Sequence, residues 1–166
     1  MEQTIPKAVI MDDAALSRAI TRIAHEIIEH NEGTKNIALV GIIRRGETIA
    51  MRLADEIQKM LVAGQYADKA VNIGFDNISL NKTETDIIAQ IDFAIKQEGY
   101  EMSFETMVLT GNNAANPHGI PGANKIENNA LLLFDLGCMV NGYASDMTRT
   151  VAVGQPDQFK KDIYHL

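Results

Sequence analysis

The stretch "LLLFDLGCMVNGYASDMTRT", residues 131–150, constrains the chain most. An apolar run ends in Asp135, Asn141-Gly142 follows, and a second extended run carries Asp146. Asn-Gly between two such runs is a strong signal for a two-residue type I′ turn. Side chains alternate between faces of a strand, so that turn puts Asp135 opposite Thr148 and on the same face as Asp146. The aspartates are then diagonal neighbours, about 7–8 Å apart along the backbone. Two carboxylates that close stay ionised together only with a cation between them. Oxygen donors suit Mn, Mg or Co, and Zn is also compatible. Each Asp could equally cap a turn or meet water at the hairpin end, and the spacing alone is a weak metal signal.

The rest of the chain gives a coarse frame. "KAVIMD" (7–12) reads as a short strand. "DDAALSRAITRIAHEIIEH" (12–30) reads as a helix, capped by Asp12 or Asp13, with apolar residues at helical spacing. "NIALVGII" (36–43) has the β-branched, apolar character of a buried parallel strand. Together these predict a βαβα start to a parallel sheet. From Glu47 to Ile73 the sequence stays compatible with helix, Gly64 being the weak point, so one long helix or two with a bend is expected. "GFDNISLNKT" (74–83) reads as a loop. "TETDIIAQIDFAIKQEG" reads as a helix with Thr83 as N-cap, Asp86 in the reciprocal position and Gly99 past the end. A strand over 105–111 and an Asn-, Gly- and Pro-rich loop over 112–129 lead to the hairpin. A last helix starts in "DQFKKDIYHL".

Composition excludes little. The 166 residues suit one domain or two small ones, and the net charge of −7 argues against nonspecific binding to nucleic acid or membrane. No apolar run reaches the ~18 residues of a membrane span. The N-terminus lacks the pattern of a signal peptide, and the single Cys138 allows no internal disulfide. A cytoplasmic location is the expectation.

"TETDIIAQIDFAIKQEG", "FETMVLTGNNAANPHGIPG", "LLLFDLG" and "NGYASDMTRTVAVG" together resemble Xaa-Pro dipeptidases (prolidases) of the pita-bread family of dimetal peptidases. The resemblance runs over residues 58–166 and implies the first half of that catalytic fold, α+β in character. It implies that Asp135 and Asp146 are metal ligands and that His118 of "NPHG" approaches the substrate and its tetrahedral intermediate. Thr148 is implied to support the aspartates by hydrogen bonding. The implied cofactor is Mn2+ (or Co2+ or Zn2+), two ions per complete site, and the implied substrate is a dipeptide with C-terminal proline. In the family the metals bind a hydroxide and polarise the scissile carbonyl, and a glutamate is the general base. A histidine and two glutamates complete the family's five ligands. Glu98, Glu127 and His165 match none of those positions, so the site is expected to be incomplete and activity low. A half fold leaves sheet edges uncovered, and a homo-oligomer is expected.

Residues 5–57 resemble instead the start of a bacterial pyrimidine-operon attenuation protein, an RNA-binding regulator with a phosphoribosyltransferase-like α/β sheet. The resemblance rests on "SRAITRIAHEII" and "GIIRRG". It implies RNA contacts at Thr21, Arg22 and His25 and a pyrophosphate loop at Arg45 and Gly46. Ile43-Arg44 departs from the usual Lys-Thr there, and the phosphoribosyltransferase signature is missing. The chain thus reads as a chimera of 1–57 and 58–166, joined within a helix near 54–62. An RNA-binding regulator, or an inert module, is the alternative function. Arg44 and Arg45 read equally as a solvated pair, and His25 as a structural histidine.

Overall fold

The computed structural model describes residues 10–164. They form two compact units that divide between Lys59 and Met60.

In the first unit, helix α1 (Asp13–His30) begins where predicted. The Asp12 carboxylate accepts the Ala15 N–H at 2.6 Å, satisfying one of the donors that a helix start leaves orphaned. Ile20 and Ala24 form its buried stripe. Helix α2 (Gly46–Asp76) follows and is continuous over 31 residues. Arg52 donates to the Ser17 hydroxyl at 2.9 Å, and the Thr21 hydroxyl donates to Glu56 at 3.2 Å.

The βαβα expectation fails here. Residues 37–42 carry no strand, and Val40, Ile42 and Ile43 are exposed. A parallel strand exists only through its neighbours, and among the described residues none lies beside this segment. The composition of "NIALVGII" is that of a strand without a sheet to join. The strand expected over 7–12 falls partly outside the described residues, and residues 10–12 are not extended into a ladder. Among the described residues this unit forms no phosphoribosyltransferase-like sheet.

In the second unit, α2 stays helical through Gly64 and on to Asp76, absorbing the start of the expected loop. Glycine costs a helix interior about 0.5–1 kcal/mol. The small, wholly buried residues Ala67 and Ala70, with Val71, hold this part of α2 on the core. Helix α3 (Glu84–Gln97) carries a complete capping box: the Thr83 hydroxyl accepts from Asp86 N at 3.1 Å, and Asp86 accepts from Thr83 N at 2.8 Å. Those bonds hold the Asp86 carboxyl below its ordinary range. Gly99, at φ +84°, ends the helix in the left-handed region.

Six short strands follow: β1 (Glu101–Met102), β2 (Met107–Thr110), β3 (Leu131–Leu136), β4 (Cys138–Val140), β5 (Tyr143–Ala144) and β6 (Met147–Ala152). They make two antiparallel sheets, ordered β1-β4-β5 and β2-β3-β6. Helix α4 (Gln158–Tyr164) closes the described chain. The core packs Ile87, Ile91 and Ile95 of α3 and the α2 seam against Val108, Leu132, Phe134 and Leu136. Phe134 meets Phe75 edge-on, with ring centroids 5.2 Å apart.

Candidate metal centre

Strand β3 alternates strictly. Leu132, Phe134 and Leu136 are buried on the core face, while Leu131, Leu133 and Asp135 are only half-buried on the other. Period-two geometry thus keeps Asp135 out of the core that its neighbours build. The hairpin turns at Asn141 and Gly142, both with positive φ (48° and 83°), as a type I′ turn requires. Val140 faces Tyr143 across it.

The register then runs without slip through both ladders. Met139 faces Ala144, Leu136 faces Met147, and Asp135 faces Thr148. This is the pairing expected from the turn. The Thr148 hydroxyl donates to Asp135 Oδ1 at 2.9 Å, which fixes one carboxylate oxygen. Asp146 lies two residues before Thr148, in the short break between β5 and β6. It is exposed, with no hydrogen bond or ion pair on its carboxylate among the described residues.

The chain between the two ladders is drawn tight. At Gly137 a side-chain carbon would overlap the Ser145 carbonyl, 1.8 Å away, so only glycine fits. The Ser145 hydroxyl accepts the Cys138 N–H at 2.9 Å and donates to the Ala63 carbonyl of α2 at 3.0 Å. Asp146 is therefore attached to a backbone tied down one residue earlier.

His118 sits apart in sequence, on the loop after a short 3₁₀ turn at Gly111–Ala115. The residue is exposed, and its backbone N–H donates to Asn116 Oδ1 at 3.3 Å. Gly119 beside it is buried, 2.9 Å from the Leu109 side chain at the position a Cβ would take. The loop is organised by a residue without a motif of its own. Glu84, at the first position of α3, is wholly buried. It accepts from Thr110 N (2.7 Å), Gly122 N (2.8 Å), Asn113 Nδ2 (3.1 Å) and Asn124 Nδ2 (3.0 Å). Its signal in the sequence is faint: one acidic residue beside a cap, with partners 26–40 positions away.

The residues singled out in the first unit do not gather into a site. Thr21 is engaged by Glu56, and Arg22 pairs with Glu26 at 3.6 Å on an exposed helix face. His25 is exposed on α1. Arg45 is exposed, and Gly46 opens α2, its N–H bonded to the Ile42 carbonyl at 2.8 Å. Nothing in this arrangement supports the RNA-binding alternative.

Residues 58–166 match metallopeptidase family M24. The chain belongs to that family. An uncharacterised peptidase of Staphylococcus aureus (strain MRSA252) is 45% identical over 113 residues, which is 68% of this chain and 32% of the relative. The prolidase from Pyrococcus furiosus aligns with a TM-score of 0.64 at 35% identity, over 67% of this chain and 33% of that one. The Xaa-Pro dipeptidase from Bacillus anthracis aligns with a TM-score of 0.64 at 25% identity, over 88% and 47%. The M24 chain described here spans about a third of the length of the curated relatives it matches. Its second unit thus has the mixed α/β architecture of prolidase-like proteins. No helix among its described residues is long and apolar enough to cross a membrane.

A divalent cation fits what the hairpin offers, in part. Asp146 presents a free carboxylate and Asp135 an oxygen beyond the one Thr148 holds. Among the described residues, no group of three or more His, Cys, Asp or Glu gathers.

Proposed function

We propose that this chain supplies the two-aspartate half of a dimetal site that hydrolyses dipeptides with C-terminal proline. The observation that carries the reading is the Asp135–Thr148 pairing, with the exposed Asp146 two residues along the chain from Thr148. Membership of M24 and the prolidase-like neighbours support it. Asp135 and Asp146 are the ligands, and Mn2+, Co2+ or Zn2+ is the cation class their oxygens take. A bound cation supplies Lewis acidity to polarise the scissile carbonyl. Thr148 orients Asp135 so that the other oxygen is free to ligate, as outer-shell hydroxyls do for ligating carboxylates. His118 offers a ring N–H to the oxygen on which charge develops.

Two carboxylates alone hold a cation weakly, so negligible turnover is expected from these residues by themselves. Calorimetric titration with Mn2+ is therefore the deciding measurement. Saturable binding is expected, at least tenfold weaker in Asp135→Asn. A wild-type protein without saturable Mn2+ binding, or an Asp135→Asn protein that binds equally well, refutes the ligand assignment. A Leu-Pro hydrolysis assay runs alongside. Two tightly bound Mn2+ ions with rapid turnover would overturn the incomplete-site reading.

A further inference from the structure

Glu84 is the one wholly buried charged side chain among the described residues. It has no cationic partner there. Every group that meets it is an N–H donor: two backbone amides and two asparagine side chains. Such a set matches an acceptor-only carboxylate, and the first turn of a 14-residue helix adds a favourable dipole.

The four donors are not scattered. Thr110 and Asn113 lie just before the His118 segment, and Gly122 and Asn124 lie just after it. Asn113 extends the hold by donating also to the Ile120 carbonyl at 3.1 Å, two residues past the histidine. The Asn116 carbonyl accepts from Gly119 N at 2.9 Å, and Gly119 has no room for a side chain against Leu109 and Asn113. One carboxylate thus gathers both arms of the loop, and the histidine is the exposed tip between them.

We propose that Glu84 is a positioning residue for His118, its buried carboxylate pinning both arms of the loop that presents the histidine to substrate. The proposal rests on reading His118 as the substrate-facing group of the dimetal site. Glu84→Gln is nearly isosteric but turns one acceptor oxygen into an N–H2 that faces other donors, so it loosens the clamp without emptying the space.

The test uses the full chain and three readings. Amide hydrogen exchange over residues 111–124 is expected to be at least tenfold faster in Glu84→Gln, with α1 unchanged. The His118 ring resonance, assigned by its loss in His118→Asn, is expected to shift. In the wild type, Mn2+ is expected to broaden that resonance; in Glu84→Gln the broadening is lost while Mn2+ affinity stays within twofold. A merely structural glutamate would not separate His118 broadening from metal affinity. Should Glu84→Gln fail to fold, Asn124→Ala removes one donor, leaves the other three, and is read in the same way. Unchanged exchange and an unmoved His118 resonance in a folded variant overturn the proposal. So does a wild type that binds Mn2+ without broadening His118. A wild type that binds no Mn2+ refutes the metal reading instead, and the exchange measurement still decides whether Glu84 clamps the loop.

Discussion

Gly74 and Phe134 should be coupled so strongly that one substitution changes sign in the presence of the other. Phe134 is wholly buried, and a Cβ built at Gly74 on α2 would lie 2.6 Å from its ring and 3.0 Å from Ile91 Cδ1. The ring cannot swing away, because Phe75 meets it edge-on at 5.2 Å and the core is closed around it. Gly74→Ala alone therefore overpacks the core, at a cost of about 1–3 kcal/mol, offset by about 0.5–1 kcal/mol of improved helix propensity. Phe134→Ala alone removes a buried ring and should cost about 3–5 kcal/mol. In the Phe134→Ala background the ring clash is gone and the end of the Ile91 side chain, 3.0 Å away, can relax into the vacated space, so adding Gly74→Ala should stabilise by its propensity gain of about 0.5–1 kcal/mol. The cycle then closes with a coupling of about 1–3 kcal/mol, outside the ~0.5 kcal/mol expected of independent sites. Urea unfolding of the four proteins by far-UV circular dichroism measures it, since the chain has no tryptophan to follow. Additive effects would refute the packing described for α2 against β3.

Two further outcomes are expected. Gly142→Ala places an L side chain at φ +83° in the hairpin turn and should destabilise the protein by about 1–2 kcal/mol in a denaturant titration. An unchanged midpoint would mean that the turn is not type I′. Burial, with a smaller contribution from Asp92, pushes the Cys138 thiol from 9.0 up to about 11. Its folded pKa lies above its unfolded one, so the stability it contributes is complete below about pH 9 and is lost as pH rises through about 11. The urea midpoint should fall more steeply between pH 9 and 11 in the wild type than in Cys138→Ala, and parallel curves would count against it.

Legibility in the sequence followed the range of the interactions. The Asp12 and Thr83 caps, the Asn141-Gly142 turn and the Asp135–Thr148 register are set by residues close along the chain or by one turn's geometry. They could be read directly. "NIALVGII" misled because β character is a statement about fitting a pleated neighbour, and the neighbour is not in the sequence window. The long helix was legible only as an ambiguity: Gly64 weakens it locally, and the alanine seam that keeps it whole acts through distant partners. Glu84 was hidden for the same reason, since its meaning lies in four donors spread over two loop arms. The roles proposed for Asp135, Asp146 and His118 rest on the resemblance to prolidases, because spacing by itself left them open.

The strict in-and-out alternation of β3 also bears on how such a chain can diverge. Inserting or deleting one residue between Leu131 and Asp135 would turn the carboxylate toward Phe75 and Ile91 and send an apolar side chain to the opposite face. Length changes in this strand must come in pairs or fall beyond its ends. Away from Asp135, substitution on the half-buried face of β3 is less constrained than on the core face, but a change of strand length by one residue would exchange the two faces.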